Sequence, residues 1–291
     1  MKIENQRFDE ERALYGIHDS EVVNCVFEGP QDGESPFKET HDITVDSCFF
    51  ALRYPFWHVN HGKILNTEMT DLCRAALWYD HDVTIENSKL HGIKAVRECH
   101  NVTLTNCDII SPEFGWMSDH LKLEHCKLTG EYPFLNSHQI ELNHFELSGK
   151  YSFQYVHDMV IRNSYLDTKD AFWHSKNVTV YDSVVKGEYL AWYSENLKLV
   201  RCKIIGTQPL CYAKGLVLED CEMIDTDLSF EKSEVRAKVK GNIVSVKNPE
   251  SGYIYADSIG EIILDQDTEC QIQSCNMTQS DQECQNCLAS N

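Results

Sequence analysis

The sequence predicts an all-β fold, a single-stranded right-handed parallel β-helix of about eleven coils, and three observations predict it. One short phrase recurs with a period of 19 residues. Within each phrase apolar residues alternate with period two, which is the signature of strands rather than helices. A unit of 19 residues also has no room for a crossover helix, so it holds three short strands and three turns. Copies of one phrase at one spacing stack in parallel register, each coil about 4.8 Å from the last, which for about eleven coils makes roughly 50 Å. Handedness does not follow from the period; right-handed is expected because parallel crossovers are overwhelmingly right-handed.

The coils begin at Val83, Val102, Leu121, Ile140, Met159, Val178, Leu197 and Leu216. Two residues on stands a second apolar ladder, Ile85, Leu104, Leu123, Leu142, Ile161, Val180, Leu199 and Leu218. A polar turn follows, at Asn87, Asn106, His125, His144, Asn163, Asp182, Arg201 and Asp220. Asparagine suits it, because it tolerates the left-handed conformation and can bond to the asparagine of the next coil. Next comes a column of mostly small residues, Ser88, Cys107, Cys126, Phe145, Ser164, Ser183, Cys202 and Cys221, and then an apolar residue such as Leu90 or Ile109. Upstream the phrase recurs at looser spacing around Cys25, Cys48 and Thr67.

The cysteine column tests the redox compartment. Cys25 and Cys48, Cys107 and Cys126, and Cys202 and Cys221 sit on adjacent coils, but in-register Cβ atoms point the same way and lie too far apart for a bridge. Serine and threonine occupy the same column, so the expectation is buried, reduced thiols in small inward slots.

Boundaries are expected at 1–17, an N-terminal cap; 18–228, the helix; 229–265, strands that close it; and 266–291, a Gln/Ser/Cys-rich tail. Pro30, Gly33 and Pro36 lengthen one coil to 23 residues. The period fails after Asp225.

The repeat resembles that of the pectate-lyase-like right-handed β-helix superfamily, through the phrase V-x-[IVL]-x-[ND]-[CS]-x-[LIF]. The opening Asn5-Gln6-x-Phe8 with Glu11-Arg12-Ala13-Leu14-Tyr15-Gly16, the loop Gly29-Pro30-x-Asp32-Gly33-Glu34-Ser35 and the stretch Ser251-Gly252-Tyr253-Ile254-Tyr255-Ala256-Asp257 resemble an uncharacterised bacterial family, a domain of unknown function, over roughly residues 1–265. That resemblance implies the fold and no activity.

Twenty-six basic against 46 acidic residues leave a net charge of −20, which repels a nucleic-acid backbone, and no basic run offsets it. No apolar run is long enough to span a membrane, and the opening Met1–Arg7 lacks the apolar stretch of a secretory signal, so the expected location is the cytoplasm. No cofactor motif is present. The partners to expect are a carbohydrate or another protein.

The candidate surface lies on the third strand of each coil. All five tryptophans, Trp57, Trp78, Trp116, Trp173 and Trp192, share one register with Lys38, Arg97 and Gln154. The position before them is apolar and inward, so the tryptophans are expected to face outward or lie at a corner. The following column is polar and aromatic, and two sections stand out. One is Glu39, His58, Tyr79 and Glu98 beside Lys38, Trp57, Trp78 and Arg97. The other is Tyr155, His174, Tyr193, Tyr212 and Glu231 beside Trp173 and Trp192. Aromatic rings can stack on sugars while polar groups take hydroxyls. The alternative is a set of aromatics that only brace neighbouring coils. Glu39 and Glu98 stand three coils apart, about 14 Å, beyond the reach of an acid and base pair for glycoside hydrolysis. Neither the clustered aspartates of a pectate lyase nor the paired aspartates of a polygalacturonase are present. The catalytic residues of a carbohydrate-active enzyme, be it lyase, hydrolase or epimerase, are therefore not identifiable, and a purely structural scaffold is the third reading.

Histidines recur at the turn before each coil, at His41, His81, His100, His138 and His157, with His61 and His120 one place on. A pair one coil apart could share a metal ion with Asp80 or Asp119, but Lys176, Glu195 and Lys214 take the same position, so a solvated turn without metal is expected. In the tail, Cys270, Cys275, Cys284 and Cys287 show zinc-ligand spacing only in their last pair, and an oxidation-prone tail is expected.

Overall fold

The computed structural model describes residues 1–29 and 33–275, so Pro30, Asp32, Cys284 and Cys287 lie outside the described residues. The chain divides into two units, Met1–Ser148 and one that starts at Gly149. Both are all-β parallel solenoids, and no helix occurs among the described residues.

In the first unit each coil opens with a six-residue strand, as in His41–Asp46, Asn60–Leu65, His81–Glu86, His100–Thr105, Asp119–Glu124 and His138–Asn143. Their register is the one the period predicts, with Val83 beside Val102, Val102 beside Leu121 and Leu121 beside Ile140. A shorter strand follows, such as Lys89–His91 beside Asp108–Ile110. Third strands of two residues pair in the order Phe37–Lys38, Phe56–Trp57, Leu77–Trp78 and Val96–Arg97. The inward ladders form the core: Ile85, Leu90, Val96 and Phe56 are fully buried, and Phe27 stacks on Phe50 at 4.7 Å.

Each coil turns on more left-handed residues than the three expected turns require. In the coil of Val83 they are Asp82, Asn87, Lys94 and Glu98, with φ between 50° and 60°. The asparagine ladder is present: Asn106 Nδ2 donates to Asn87 Oδ1 at 3.3 Å, and Asn24 Nδ2 to Asn5 Oδ1 at 2.6 Å. The two-residue third strands stop at Val96–Arg97, and the next coil carries Gly115 at φ 72°, where an added Cβ would meet the Phe134 ring at 2.9 Å.

The second unit repeats the long strand in His157–Arg162, Lys176–Tyr181 and Glu195–Val200. Its third side has no strand among the described residues, and Phe153, Phe172, Ala191, Leu210 and Phe230 sit there with φ between 62° and 68°. These side chains are buried, and Phe153 stacks on Phe172 at 4.9 Å.

The chain winds about fourteen turns rather than eleven. Residues 1–17, expected as a cap, contribute strands of their own: Ile3 pairs with Val22 and Phe8 with Phe27. Past Asp225 the strands Glu234–Lys247, Ser251–Ile263 and Glu269–Ser274 continue the parallel pairing, the last beyond Gln266 where the tail was expected. The spacing there contracts, with Val235 opposite Gly252 and Gly252 opposite Cys270, and bulges at Leu218/Cys221 and Val239/Asn242 absorb the register change. A template with a fixed period misses coils that shorten.

The six cysteines of the predicted column are buried and unbridged. The column selects more than small size. Cys107 Sγ donates to the carbonyl of Thr105 at 3.4 Å, as Ser88 Oγ does to Glu86 at 2.8 Å and Thr67 Oγ1 to Leu65 at 2.8 Å. The same atoms accept from the coil below: Thr67 N donates to Ser88 Oγ at 3.0 Å. Cysteine, serine and threonine interchange because each is a small donor and acceptor that braces the left-handed turn.

Candidate functional site

The third side of the coil presents the tryptophan register outward, and all five indoles are half-buried. Two properties of the chain produce this. Where the third side is a strand, as at Phe56–Trp57 and Leu77–Trp78, the residue before the tryptophan points into the core, so alternation turns the indole out. The residue after it is left-handed, as at His58, Tyr79, Met117, His174 and Tyr193, and projects outward as well.

In the first unit the predicted residues come together as a sealed stack. Trp57 and Trp78 lie parallel at 5.1 Å and 14°. Lys38 Nζ covers the outer face of Trp57 at 4.0 Å, and the Arg97 guanidinium covers Trp78 at 5.3 Å. In the adjoining column His58 stacks on Tyr79 at 5.1 Å. Each end carries a carboxylate already engaged: Tyr15 Oη donates to Glu39 Oε2 at 2.7 Å, and Arg97 Nε donates to Glu98 Oε1 at 2.9 Å. Desolvation works against the charge on Glu98, but hydrogen bonds from Tyr79 and Arg97 outweigh it and hold the carboxyl below its ordinary range. The bond to Glu98 in turn raises the Tyr79 phenol. Tyr15 belongs to this cluster, and nothing in its spacing marks it, because it enters from the coil that was expected to be a cap.

In the second unit Tyr155, His174, Tyr193 and Tyr212 form a continuous ladder, with centroid spacings of 4.9, 5.1 and 5.1 Å. Tyr155 is 48% exposed and Tyr193 47%. Beside it Trp173 and Trp192 stack at 5.6 Å and 5°, and their indole N–H groups donate to the carbonyls of Tyr189 and Gln208. Glu231 pairs with Lys247 at 3.1 Å.

A family model described as Protein of unknown function (DUF3737) matches residues 1–278. The chain belongs to that family. No curated protein matches it. Among solved structures this DUF3737 chain is similar to HetL, a pentapeptide repeat protein of the cyanobacterium Nostoc sp. strain PCC 7120, at 11% identity and a TM-score of 0.31, over 77% of this chain and 92% of that one. It is similar to the A-module of the mannuronan C-5 epimerase AlgE4 of Azotobacter vinelandii, at 11% identity and a TM-score of 0.28, over 93% and 86% of the two chains. The catalytic domain of a GH87 α-1,3-glucanase in complex with nigerose matches at 10% identity and a TM-score of 0.22, over 96% and 63%. Likenesses of this size say nothing of activity.

Proposed function

We propose that this chain is a non-catalytic recognition solenoid that binds a protein partner through its aromatic stripe, with the ladder Tyr155, His174, Tyr193 and Tyr212 as the principal contact. One observation carries the choice. Stacking between coils uses up both ring faces of His174 and Tyr193 inside the ladder, and in the first unit Lys38 and Arg97 cover the outer faces of the Trp57–Trp78 pair. Sugar recognition by stacking needs a free face. Edges, hydroxyls and imidazole nitrogens remain, and these are the groups with which tyrosine-rich protein interfaces make contact. Glu39 and Glu98 are engaged by Tyr15 and Arg97 and separated by His58 and Tyr79, which argues against these two carboxylates as the acid and base pair of a lyase, hydrolase or epimerase. The repeat phrase supports a place in the pectate-lyase-like superfamily, and buried thiols in slots shared with serine support a reducing cytoplasm.

The test is site-specific photo-crosslinking at position 193 in cells, beside a glycan array of the purified chain. The expected result is one defined protein adduct at 193, none at the exposed control position Lys122, lost when Tyr155 is changed to Ala, and an empty array. A glycan hit abolished by Trp78→Ala would establish the carbohydrate reading instead. Equal adducts at 193 and 122 would leave the scaffold reading.

A further inference from the structure

The opening of the long strand in the first unit departs from strand alternation. The second residue of each strand is left-handed, at Asp19, Asp42, His61, Asp82, Asn101, His120 and Gln139, with φ between 47° and 56°. Two consecutive residues therefore face water where an ordinary strand would send one inward, and all seven strands are exposed or half-exposed at both places. In one coil this puts Asp119 and His120 on the same side. The register adds the neighbours, since His100 lies directly opposite Asp119 and Asp119 opposite His138.

Three imidazoles converge on one carboxylate. His100 Nδ1 is hydrogen-bonded to Asp119 Oδ1. His120 Nδ1 stands 3.7 Å from the same oxygen, and His138 Nδ1 stands 3.9 Å from Oδ2. His100 and His120 meet edge to face at 4.7 Å. One ligand atom each from His100, Asp119 and His120 lies within 4.8 Å of the others. Bonds of 2.0–2.2 Å in a tetrahedral site place ligand atoms roughly 3.4 Å apart, so small rotations of side chains already near the surface would close the set. Asp80, the other carboxylate beside this column, is fully buried and cannot reach it.

We infer that His100, Asp119 and His120 form a site for a divalent transition-metal ion of the zinc or nickel class, with His138 as the fourth ligand. The donors decide the class. Imidazoles with one carboxylate suit zinc, cobalt and nickel, whereas calcium and magnesium require a shell of oxygens. A net charge of −20 raises the local concentration of any cation. The cluster of Glu124, His125 and His144 is a comparator of different build. Asn143 Nδ2 donates to both Glu124 oxygens, at 2.8 and 2.9 Å, and the two imidazoles stack flat at 4.5 Å in the asparagine column. It is a turn ladder with histidine standing for asparagine.

The experiment is a titration of the full reduced chain with Co²⁺, followed by visible absorption, and with Zn²⁺ by calorimetry. One saturable site is expected, with ligand-field bands and no thiolate charge-transfer band. Asp119→Asn and His120→Ala should each weaken it by at least about tenfold. His125→Ala and the pair Cys284→Ser with Cys287→Ser should leave it unchanged. Strand content by circular dichroism confirms that the variants fold, which the exposure of His120 and the half-exposure of Asp119 favour. Absence of saturable Co²⁺ binding, binding that survives both substitutions, or a thiolate spectrum would each overturn the assignment.

Discussion

The backbone N–H of Val59 donates to Oδ1 of Asp80 across 2.8 Å, the bond that a serine hydroxyl accepts elsewhere in the same column, where Cys99 N–H meets Ser118 Oγ at 3.1 Å. Asp80 thus does the work of a serine with a carboxyl group. It is fully buried, and its Oδ2 has no partner.

Burial pushes the Asp80 carboxyl well above its ordinary value of 3.8, against the pull of the Val59 N–H toward the charged form. The folded state therefore holds this proton more tightly than the unfolded chain. The contribution of Asp80 to stability is complete below 3.8 and is lost as pH rises through the raised value. Asp80→Ser should stabilise the protein at pH 8 by about 1–3 kcal/mol, because it keeps the acceptor and removes the orphaned oxygen. The gain should shrink as pH is lowered. Urea unfolding of both proteins across pH 5–8 measures this, and a less stable variant at pH 8 would refute it.

Burial also pushes Cys48 up to about 12 and Cys73 up to about 11. Cys275 is exposed. Iodoacetamide at pH 8 should label Cys275 and leave Cys48 and Cys73 untouched in the folded protein, since the thiolate is the nucleophile. Peptide mass spectrometry reads this directly, and a bridge between Cys25 and Cys48 in the unreduced protein would contradict the slot geometry.

Within that column the structure separates size from hydrogen bonding. Cys107→Ser keeps the donor to Thr105 and should cost less than about 1 kcal/mol. Cys107→Leu overfills the slot and should cost about 1–3 kcal/mol. Equal midpoints for the two variants in urea would show that the donor does nothing.

The Trp57–Trp78 stack carries stability as well as surface. Trp78→Ala removes a ring pair and uncovers Arg97, for which about 0.5–1.5 and about 0.5–1 kcal/mol are the ordinary contributions beyond buried area. The variant should stay folded with its urea midpoint lowered, and Arg97→Met should lose only the smaller share. A Trp78→Ala protein as stable as the parent would mean that the stack contributes nothing.

Gly206 sits at φ 130°, and an added Cβ would fall 2.0 Å from the carbonyl oxygen of Gly187. The three nearest atoms are all backbone of Gly187, so no flexible side chain is there to yield. Gly206→Ala should therefore cost about 3 kcal/mol or more by urea unfolding, and a loss below about 1 kcal/mol would show that the two coils can separate locally.

The period, the inward ladders, the unbridged cysteine column and the outward tryptophans are all properties of one coil repeated. For that reason residues such as Val83, Val102 and Leu121, or Trp57 and Trp78, declare their places in the sequence alone: a fixed spacing with alternation leaves one register. What the sequence could not decide depends on where the backbone leaves that pattern or where distant coils meet. Left-handed residues put Asp119 and His120 on one side of a strand, and register then adds His100 and His138, so a column that reads as solvated turns becomes a cluster. The first coil brings Tyr15 onto Glu39, and contraction of the period hides the coils beyond Asp225. Ring orientation, too, is set only by stacking between coils, which covers the faces of Trp57, Trp78, His174 and Tyr193 and leaves the tyrosine edges of the second ladder to water.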